Sequence, residues 1–182
     1  MSPAVLVQRP RPRVPLSRSC GPREHGARFR AAEEADSHST AEGLILIVDD
    51  ESAIRLVCRL NLDAVGFQTL EAPDGETALE LARAEHPDLI LLDVMLPGID
   101  GWGVAEELSG DPKTREIPIL FLSARSDPSD EARGHQVGAL GYVTKPFDPE
   151  ELIGRVQDVL ERTGRGERDS LRREWQERLR TN

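Results

Sequence analysis

The sequence predicts an α/β fold in which a parallel, five-stranded sheet is covered by helices on both faces. From Leu44 onward, short apolar runs alternate with longer segments of helical period. Two of the runs, "DLILLD" and "IPILFLS", are almost continuously apolar, which is typical of strands buried on both faces. Regular alternation of strand and helix favours crossover connections and therefore a doubly wound parallel sheet.

The first elements are indicated by abrupt changes of pattern. The stretch "LILIV" runs straight into Asp49 and Asp50, and "SAIRLVCRLNLDAVG" then has apolar residues at helical spacing, with Gly66 as a stop. The second helix begins at Asp74, a favourable N-cap residue, and ends before Pro87. The full prediction in chain order is strand 44–48, helix 52–65, strand 67–71, helix 74–85, strand 88–92, helix 101–109, strand 118–122, helix 128–137, strand 140–143 and helix 148–161.

The two ends of the chain lack this alternation. Residues 1–42 are rich in Pro and Arg, and we interpret them as a disordered leader, although their start mildly resembles an organellar transit peptide. Residues 162–182 are a charged tail, expected to be partly helical, with Leu171, Trp175 and Leu179 in one apolar stripe. That stripe fits either a solvated extension or a helix that docks or self-associates.

Charge and cysteine content narrow the classes of function. The net charge is −10, but residues 1–42 and residues 161–182 each carry +2, which leaves −14 for residues 43–160. So acidic a body argues against non-specific nucleic-acid binding and is compatible with a cation site. The two cysteines, Cys20 and Cys58, argue against a disulfide framework and favour a reducing, cytoplasmic compartment. No apolar run approaches the ~20 residues that span a bilayer.

One edge of the predicted sheet collects five reactive side chains. They are Asp49 and Asp50 after the first strand, Asp93 at the end of the third, Ser123 at the end of the fourth and Lys145 after the fifth. The carboxyl ends of the strands form the functional edge of such sheets. Clustered carboxylates repel one another unless a cation neutralises them, and oxygen ligands without His or Cys select Mg²⁺ or Mn²⁺.

This set of side chains suits phosphoryl transfer. A carboxylate beside such a metal can attack phosphorus and form an acyl phosphate. Asp93 is the better nucleophile, because it is central in the sheet and precedes the accessible loop "MLPGIDGWG". Lys145 and the metal would neutralise the phosphoryl oxygens, and Ser123 would donate a hydrogen bond to them.

Four motifs, "LIVDDE", "LLDVMLPGIDG", "FLSAR" and "GYVTKPF", lie at characteristic separations. Asp50 and Asp93 are 43 residues apart, Asp93 and Ser123 are 30 apart, and Ser123 and Lys145 are 22 apart. In this combination, residues 43–161 resemble the receiver domain of bacterial two-component response regulators. The resemblance implies the CheY-like, flavodoxin-like fold with strand order 2-1-3-4-5.

The resemblance also implies the role of each acidic residue. Asp93 would be the phosphoacceptor, and its phosphodonor would be a sensor histidine kinase or a histidine phosphotransfer protein. Mg²⁺ would be bound by Asp49, Asp50 and Asp93, with the main-chain carbonyl of Met95 as a further ligand. Apart from its own phosphorylation and dephosphorylation, such a domain would catalyse nothing.

The remaining implied residues are those that respond to phosphorylation. Ser123 and Lys145 would bind the phosphoryl group. Tyr142 would be the aromatic switch that turns inward when Ser123 moves, or else an ordinary buried tyrosine. The bond between Lys145 and Pro146 would be a cis peptide.

The subgroup of highest similarity is the receivers of winged-helix transcription regulators. Too few residues follow 161 for a DNA-binding domain, which takes roughly 60–100 residues, so we expect a stand-alone receiver without direct DNA binding. That subgroup forms homodimers through the face of the fourth helix, fifth strand and fifth helix. Here Leu140 and Gly141 replace an acidic pair of that face, which argues against the standard dimer. A homodimer would use either this face or the tail helix.

Three other functions match parts of the pattern. "LILIVDDE" matches the acidic strand of P-loop ATPases, but neither lysine follows the required glycine-rich loop. An aspartyl phosphatase would want a second Asp two residues after its nucleophile, where this chain has Met95. A binding module independent of phosphorylation would not need the complete set of acids and lysine.

Overall fold

The computed structural model describes residues 43–124 and 128–181, and the predicted leader, residues 1–42, lies outside this part of the chain. None of the helices in these two segments is long and apolar enough to cross a membrane. The elements in chain order are β1 (Leu44–Val48), α1 (Ser52–Ala64), β2 (Gln68–Ala72), α2 (Gly75–Glu85), β3 (Leu89–Asp93), α3 (Gly101–Gly110), β4 (Ile119–Ser123), α4 (Pro128–Gln136), β5 (Gly141–Thr144), α5 (Pro149–Gly164) and α6 (Arg168–Thr181).

The strands form a parallel sheet in the order β2-β1-β3-β4-β5, which confirms the predicted fold class and strand order. Val48 at the end of β1 is opposite Leu92 of β3, and Asp93 is opposite Leu122 of β4. The carboxyl ends of the three central strands therefore lie at nearly the same level, which brings the residues after them to a common edge.

Side chains of the central strands alternate between two buried layers. Leu46 and Leu92 belong to the layer covered by α2 and α3, whereas Ile47 and Leu91 belong to the layer covered by α1 and α5. Successive residues of a strand point to opposite faces, so a sheet covered on both sides needs an apolar residue at nearly every position. This double burial explains the unbroken apolar runs in the sequence.

Three aspartates begin helices with side-chain caps. The carboxylates of Asp74 and Asp100 each accept the backbone N–H three residues later, at 2.8 Å, ahead of α2 and α3. Asp148 accepts a backbone N–H two residues later at 2.7 Å and begins α5. Such caps satisfy N–H groups that have no partner within the helix, which stabilises the points where the chain leaves the sheet edge.

The tail contains a helix, α6, whose apolar stripe is buried. Trp175 is 3% exposed and Leu171 is 6% exposed. Trp175 joins the layer of α2 and α3, Leu171 joins the layer of α1 and α5, and Leu179 packs partly buried against the first of these. The alternative prediction of a solvated extension is therefore wrong for this helix. The indole ring of Trp175 can be buried because Gly134 in α4, which it contacts, has no side chain.

Candidate functional site

Three carboxylates meet at the carboxyl edge of the sheet. Asp49 and Asp50 follow β1, and Asp93 is the last residue of β3, the neighbouring strand. Each contributes a carboxylate oxygen that lies within 4.8 Å of the others. Asp49 and Asp93 are buried, whereas Asp50 is exposed, so the cluster opens to solvent on the side of Asp50.

Lys145 joins two of these carboxylates. Its Nζ lies 2.5 Å from Asp49 Oδ2 and 3.2 Å from Asp93 Oδ2. Burial by itself would lower the pKa of Lys145, but the hydrogen bond to Asp49 and the charge of Asp93 outweigh burial and leave this pKa raised. The ammonium group therefore stays charged and offsets part of the repulsion between the carboxylates.

The acidic cluster retains uncompensated charge. Burial raises the pKa of the Asp49 carboxyl, even though Lys145 and the backbone N–H of Glu51 both favour its ionised form. Asp93 Oδ1 is one of the buried side-chain atoms of the described segments that have no hydrogen-bond partner. A hard cation with oxygen ligands would satisfy both observations, so the residues present fit Mg²⁺.

Ser123 and Lys145 are linked at the ends of neighbouring strands. Ser123 is the last residue of β4, is fully buried, and accepts the backbone N–H of Lys145 at its carbonyl oxygen, at 2.7 Å. This backbone contact ties the loop after β5 to the end of β4. A movement of Ser123 is thereby coupled to the loop that carries Lys145.

The structure also gives the positions of the other predicted residues. Met95 lies in the loop after β3, and its side chain is 53% exposed. Tyr142 is half-buried on β5, and its ring centroid is 6.2 Å from that of Phe121. The peptide bond between Lys145 and Pro146 is cis.

Arg55 is a site residue that the sequence analysis missed. Its Nη1 donates to the carbonyl oxygens of Asp49 at 2.6 Å and Asp50 at 3.2 Å, and its Nε donates to Glu71 at 3.2 Å. It therefore holds the backbone that carries both acids. The available signal was its spacing from Cys58 and Leu62, which places a charged residue on the core-facing side of α1.

The start of α3 lies directly behind Asp93. The backbone N–H of Gly101 donates to the carbonyl oxygen of Val94 at 3.0 Å. A Cβ atom at Gly101 would lie 2.1 Å from the carbonyl oxygen of Asp93, so no other residue fits without a shift of the backbone. This close approach fixes the loop that begins at Asp93.

Comparison with known proteins agrees with this arrangement. The family model for the response regulator receiver domain matches residues 45–157. A probable transcriptional regulator, ycf27, of Porphyridium aerugineum is 44% identical over 118 residues, which are 65% of this chain and 48% of that protein. The phosphate regulon transcriptional regulatory protein PhoB of Pseudomonas aeruginosa is 44% identical over 126 residues, 69% of this chain and 55% of its own length. The chain thus spans about half the length of the curated relatives that it matches.

Solved structures give the same result. The chemotaxis protein CheY4 of Vibrio cholerae is 33% identical, with a TM-score of 0.63 over 65% of this chain and 99% of that one. The receiver domain of the Francisella response regulator 1452 is 31% identical, with a TM-score of 0.63 over 66% of this chain and 98% of that one.

Proposed function

The chain belongs to the family of response regulator receiver domains, and we propose that it is a switch controlled by phosphorylation of Asp93. Members of this family are signalling domains of two-component systems rather than metabolic enzymes. The phosphodonor in this proposal is a sensor histidine kinase or a histidine phosphotransfer protein. The observation that carries it is the buried, unpartnered Oδ1 of Asp93 beside the ammonium group of Lys145 and the acidic pair.

In the transfer, Asp93 acts as a nucleophile toward the phosphorus of a phosphohistidine. A bond forms between a carboxylate oxygen of Asp93 and phosphorus while the bond between phosphorus and the imidazole nitrogen breaks, and the imidazole keeps that electron pair. Lys145 then balances charge on the phosphoryl oxygens, and the Ser123 hydroxyl donates a hydrogen bond to them. Tyr142 follows Ser123 and transmits the change toward the surface of β5.

A divalent cation is part of the same proposal. Asp49, Asp50, Asp93 and the main-chain carbonyl of Met95 would hold Mg²⁺, and Mn²⁺ has the same ligand preference. The cation supplies charge neutralisation for the phosphoryl oxygens. The chain's own part is to hold the carboxylates together against their repulsion, which Lys145 does at the carboxylates of Asp49 and Asp93 and Arg55 does at the backbone of the acidic pair.

The proposed output is a change in protein contact by the receiver domain in the cytoplasm. The charge of −14 on residues 43–160 disfavours direct DNA contact by this region, and the buried, free thiol of Cys58 supports a reducing compartment. The names of the relatives favour a second candidate, regulation of transcription through DNA. Anisotropy of labelled genomic DNA fragments, with and without phosphorylation, separates the two, because only the second candidate predicts binding that depends on Asp93.

The phosphoacceptor assignment is tested by replacing Asp93 with Asn. Incubation with a low-molecular-weight phosphodonor and Mg²⁺ is expected to add one phosphoryl group to the wild type and none to the variant, measured by intact mass. Asp158→Asn, at an exposed position of α5, is the matched control and should be labelled normally. Stoichiometric labelling of Asp93→Asn would refute the assignment.

A further inference from the structure

Helix α6 closes the side of the molecule on which α4, β5 and α5 lie. Because β5 is the edge strand, the two apolar layers of the sheet meet the surface here, and α6 contributes Trp175 to one layer and Leu171 to the other. We call the residues beneath α6 the tail-binding surface. They come from α4, from α5 and from the residue before β5, and they include Gly134, His135, Leu140 and Val159.

The tail-binding surface is shaped for a tryptophan. A Cβ atom on Gly134 would lie 3.1 Å from Cη2 of Trp175 and 3.2 Å from Cδ2 of Phe121, so a side chain at this position would force these rings to shift by a few tenths of an ångström. The ring of His135 meets that of Trp175 edge-on, with centroids 5.6 Å apart. The absence of a side chain at Gly134 therefore allows the close packing of Trp175 on α4.

Polar contacts fix the orientation of α6. Arg168 donates to the carbonyl oxygen of Glu116 at 2.7 Å, and Arg172 exchanges contacts of 3.1 and 3.4 Å with His135. On α5, Arg162 forms a two-pronged ion pair with Glu174, at 2.8 and 2.5 Å. Each of these contacts joins a charged or polar group to one particular carbonyl or carboxylate oxygen. They therefore favour a single orientation of α6 on the tail-binding surface, which non-specific apolar packing would not do.

An open cleft lies beside the docked helix. A cleft of about 610 Å³ remains between α5 and α6, with apolar residues that include Leu140, Val159 and Leu171 and charged residues from both helices. The helix is held at the buried Trp175 and Leu171 and at the polar contacts of Arg168, Arg172 and Glu174. The strands of the sheet pair with one another and not with α6, so departure of this helix leaves the strand pairing intact.

The tail-binding surface is also connected to the phosphoacceptor site. Phe121 stands on β4 two residues before Ser123, and its ring lies 4.6 Å from Trp102 and 6.2 Å from Tyr142, centroid to centroid. Helix α4, which carries Gly134, follows β4 in the chain. Any change that moves Ser123 and α4 therefore alters the space available to Trp175.

We propose that the tail-binding surface is a docking site for an amphipathic helix with a tryptophan anchor, that α6 occupies it in the resting chain, and that phosphorylation of Asp93 releases α6. The target is then a helix of the same kind, with a Trp and a Leu four residues earlier. The release step rests on the proposed function, whereas the docking site does not. A homodimer through this face would also require α6 to leave.

The docking site is tested with a fluorescent peptide of residues 167–182 and the full chain carrying Trp175→Ala. The variant lacks the tethered competitor ring, so the peptide is expected to bind it at least about tenfold more tightly than it binds the wild type. The same peptide with Trp175→Ala is the matched control and should not bind. Equal binding of both peptides, or no binding of either, overturns the docking site.

Release is tested in the Trp102→Phe chain, in which Trp175 is the remaining tryptophan. A phosphodonor with Mg²⁺ is expected to shift its emission to the red and to remove hydrogen-exchange protection from residues 168–181, and Asp93→Asn should block both changes. Labelling measured by mass without either change overturns the release and leaves the proposed function intact. Failure to label overturns both, while the peptide result still decides the docking site.

Discussion

At the scale of single residues, the acidic pair depends on Arg55. A guanidinium group that donates to the carbonyl oxygens of both Asp49 and Asp50 sets the direction of their side chains through the backbone. Glu71 in turn holds the guanidinium group. Arg55 therefore acts on Asp49 and Asp50, the proposed metal ligands, through their backbone, as supporting groups commonly do around metal sites.

We expect Arg55→Ala to weaken Mg²⁺ binding by about tenfold, because groups that support metal ligands typically contribute about 10–100-fold in affinity. Isothermal titration calorimetry with MgCl₂ measures this change without any phosphodonor. Arg59→Ala is the matched control, since Arg59 also pairs with Glu71, at 2.9 Å, and lies one helical turn from Arg55. Equal losses in the two variants would assign the effect to Glu71 rather than to the loop carbonyls.

At the scale of elements, α3 depends on a glycine at one end and tolerates one at the other. Gly101 meets the carbonyl oxygen of Asp93, whereas a Cβ atom on Gly110 would have no neighbour within 4 Å. Alanine substitutions at these two positions therefore separate the cost of close approach to the backbone, expected only at Gly101, from the intrinsic preference of a helix for alanine over glycine.

Gly101→Ala is expected to lower the free energy of unfolding by about 1–3 kcal/mol, the usual cost of overpacking, and also to slow phosphorylation by displacing Asp93. Gly110→Ala should be neutral or stabilise by up to about 1 kcal/mol. Urea denaturation of both variants gives the comparison. Equal stability of Gly101→Ala and Gly110→Ala would show that the backbone of the β3–α3 loop relaxes freely.

The ion pair between α5 and α6 predicts a dependence of α6 docking on pH. Hydrogen bonds from Arg162 lower the pKa of the Glu174 carboxyl, and the charges of Arg178 and Arg173 act in the same direction. The folded-state pKa is below the unfolded one, so this contribution is fully present above the unfolded pKa of about 4.3 and is lost as pH falls through the folded value.

Two chains are compared, Trp102→Phe alone and Trp102→Phe combined with Glu174→Gln. Near pH 7 the docking of α6 should therefore be more stable in the first chain, which keeps Glu174. The two should converge as pH falls below about 4. Trp175 emission measured against pH and urea gives both curves. A difference that stays constant from neutral to acid pH would exclude the charge of Glu174 as the cause.

At the scale of the whole molecule, stability is expected to be graded from the centre of the sheet to α6. β1, β3 and β4 are hydrogen-bonded on both sides and covered on both faces, whereas α6 touches the rest at one edge. Regions with fewer buried contacts open locally at lower free energy.

Native-state hydrogen exchange should therefore show amides of α6 exchanging through local opening, well before those of β3, which should exchange only through global unfolding. Exchange at several low denaturant concentrations distinguishes the two routes by their slopes. Identical free energies and slopes for α6 and β3 would mean that α6 is an inseparable part of the core, and would count against its release by phosphorylation.

Much of the fold was predictable from pattern alone. The predicted strands and helices correspond to β1–β5 and α1–α5, with small differences at their ends; α5, for example, continues to Gly164 instead of ending at 161. The meeting of Asp49, Asp50, Asp93 and Lys145 was also predictable, because parallel strands deliver their carboxyl ends to one edge whatever the helices do in detail.

The sequence by itself therefore determined the fold class and which side chains share the edge of the sheet, since both follow from apolar period and from the order of strands. Only the tertiary structure decided that Arg55 holds the acidic pair, that Lys145 lies closer to Asp49 than to Asp93, and that the tail is docked. Those features depend on side-chain directions and on gaps between distant elements. The space above Gly134 exists only where α4 packs against Phe121 and Trp102, and no local period in the chain encodes such a gap.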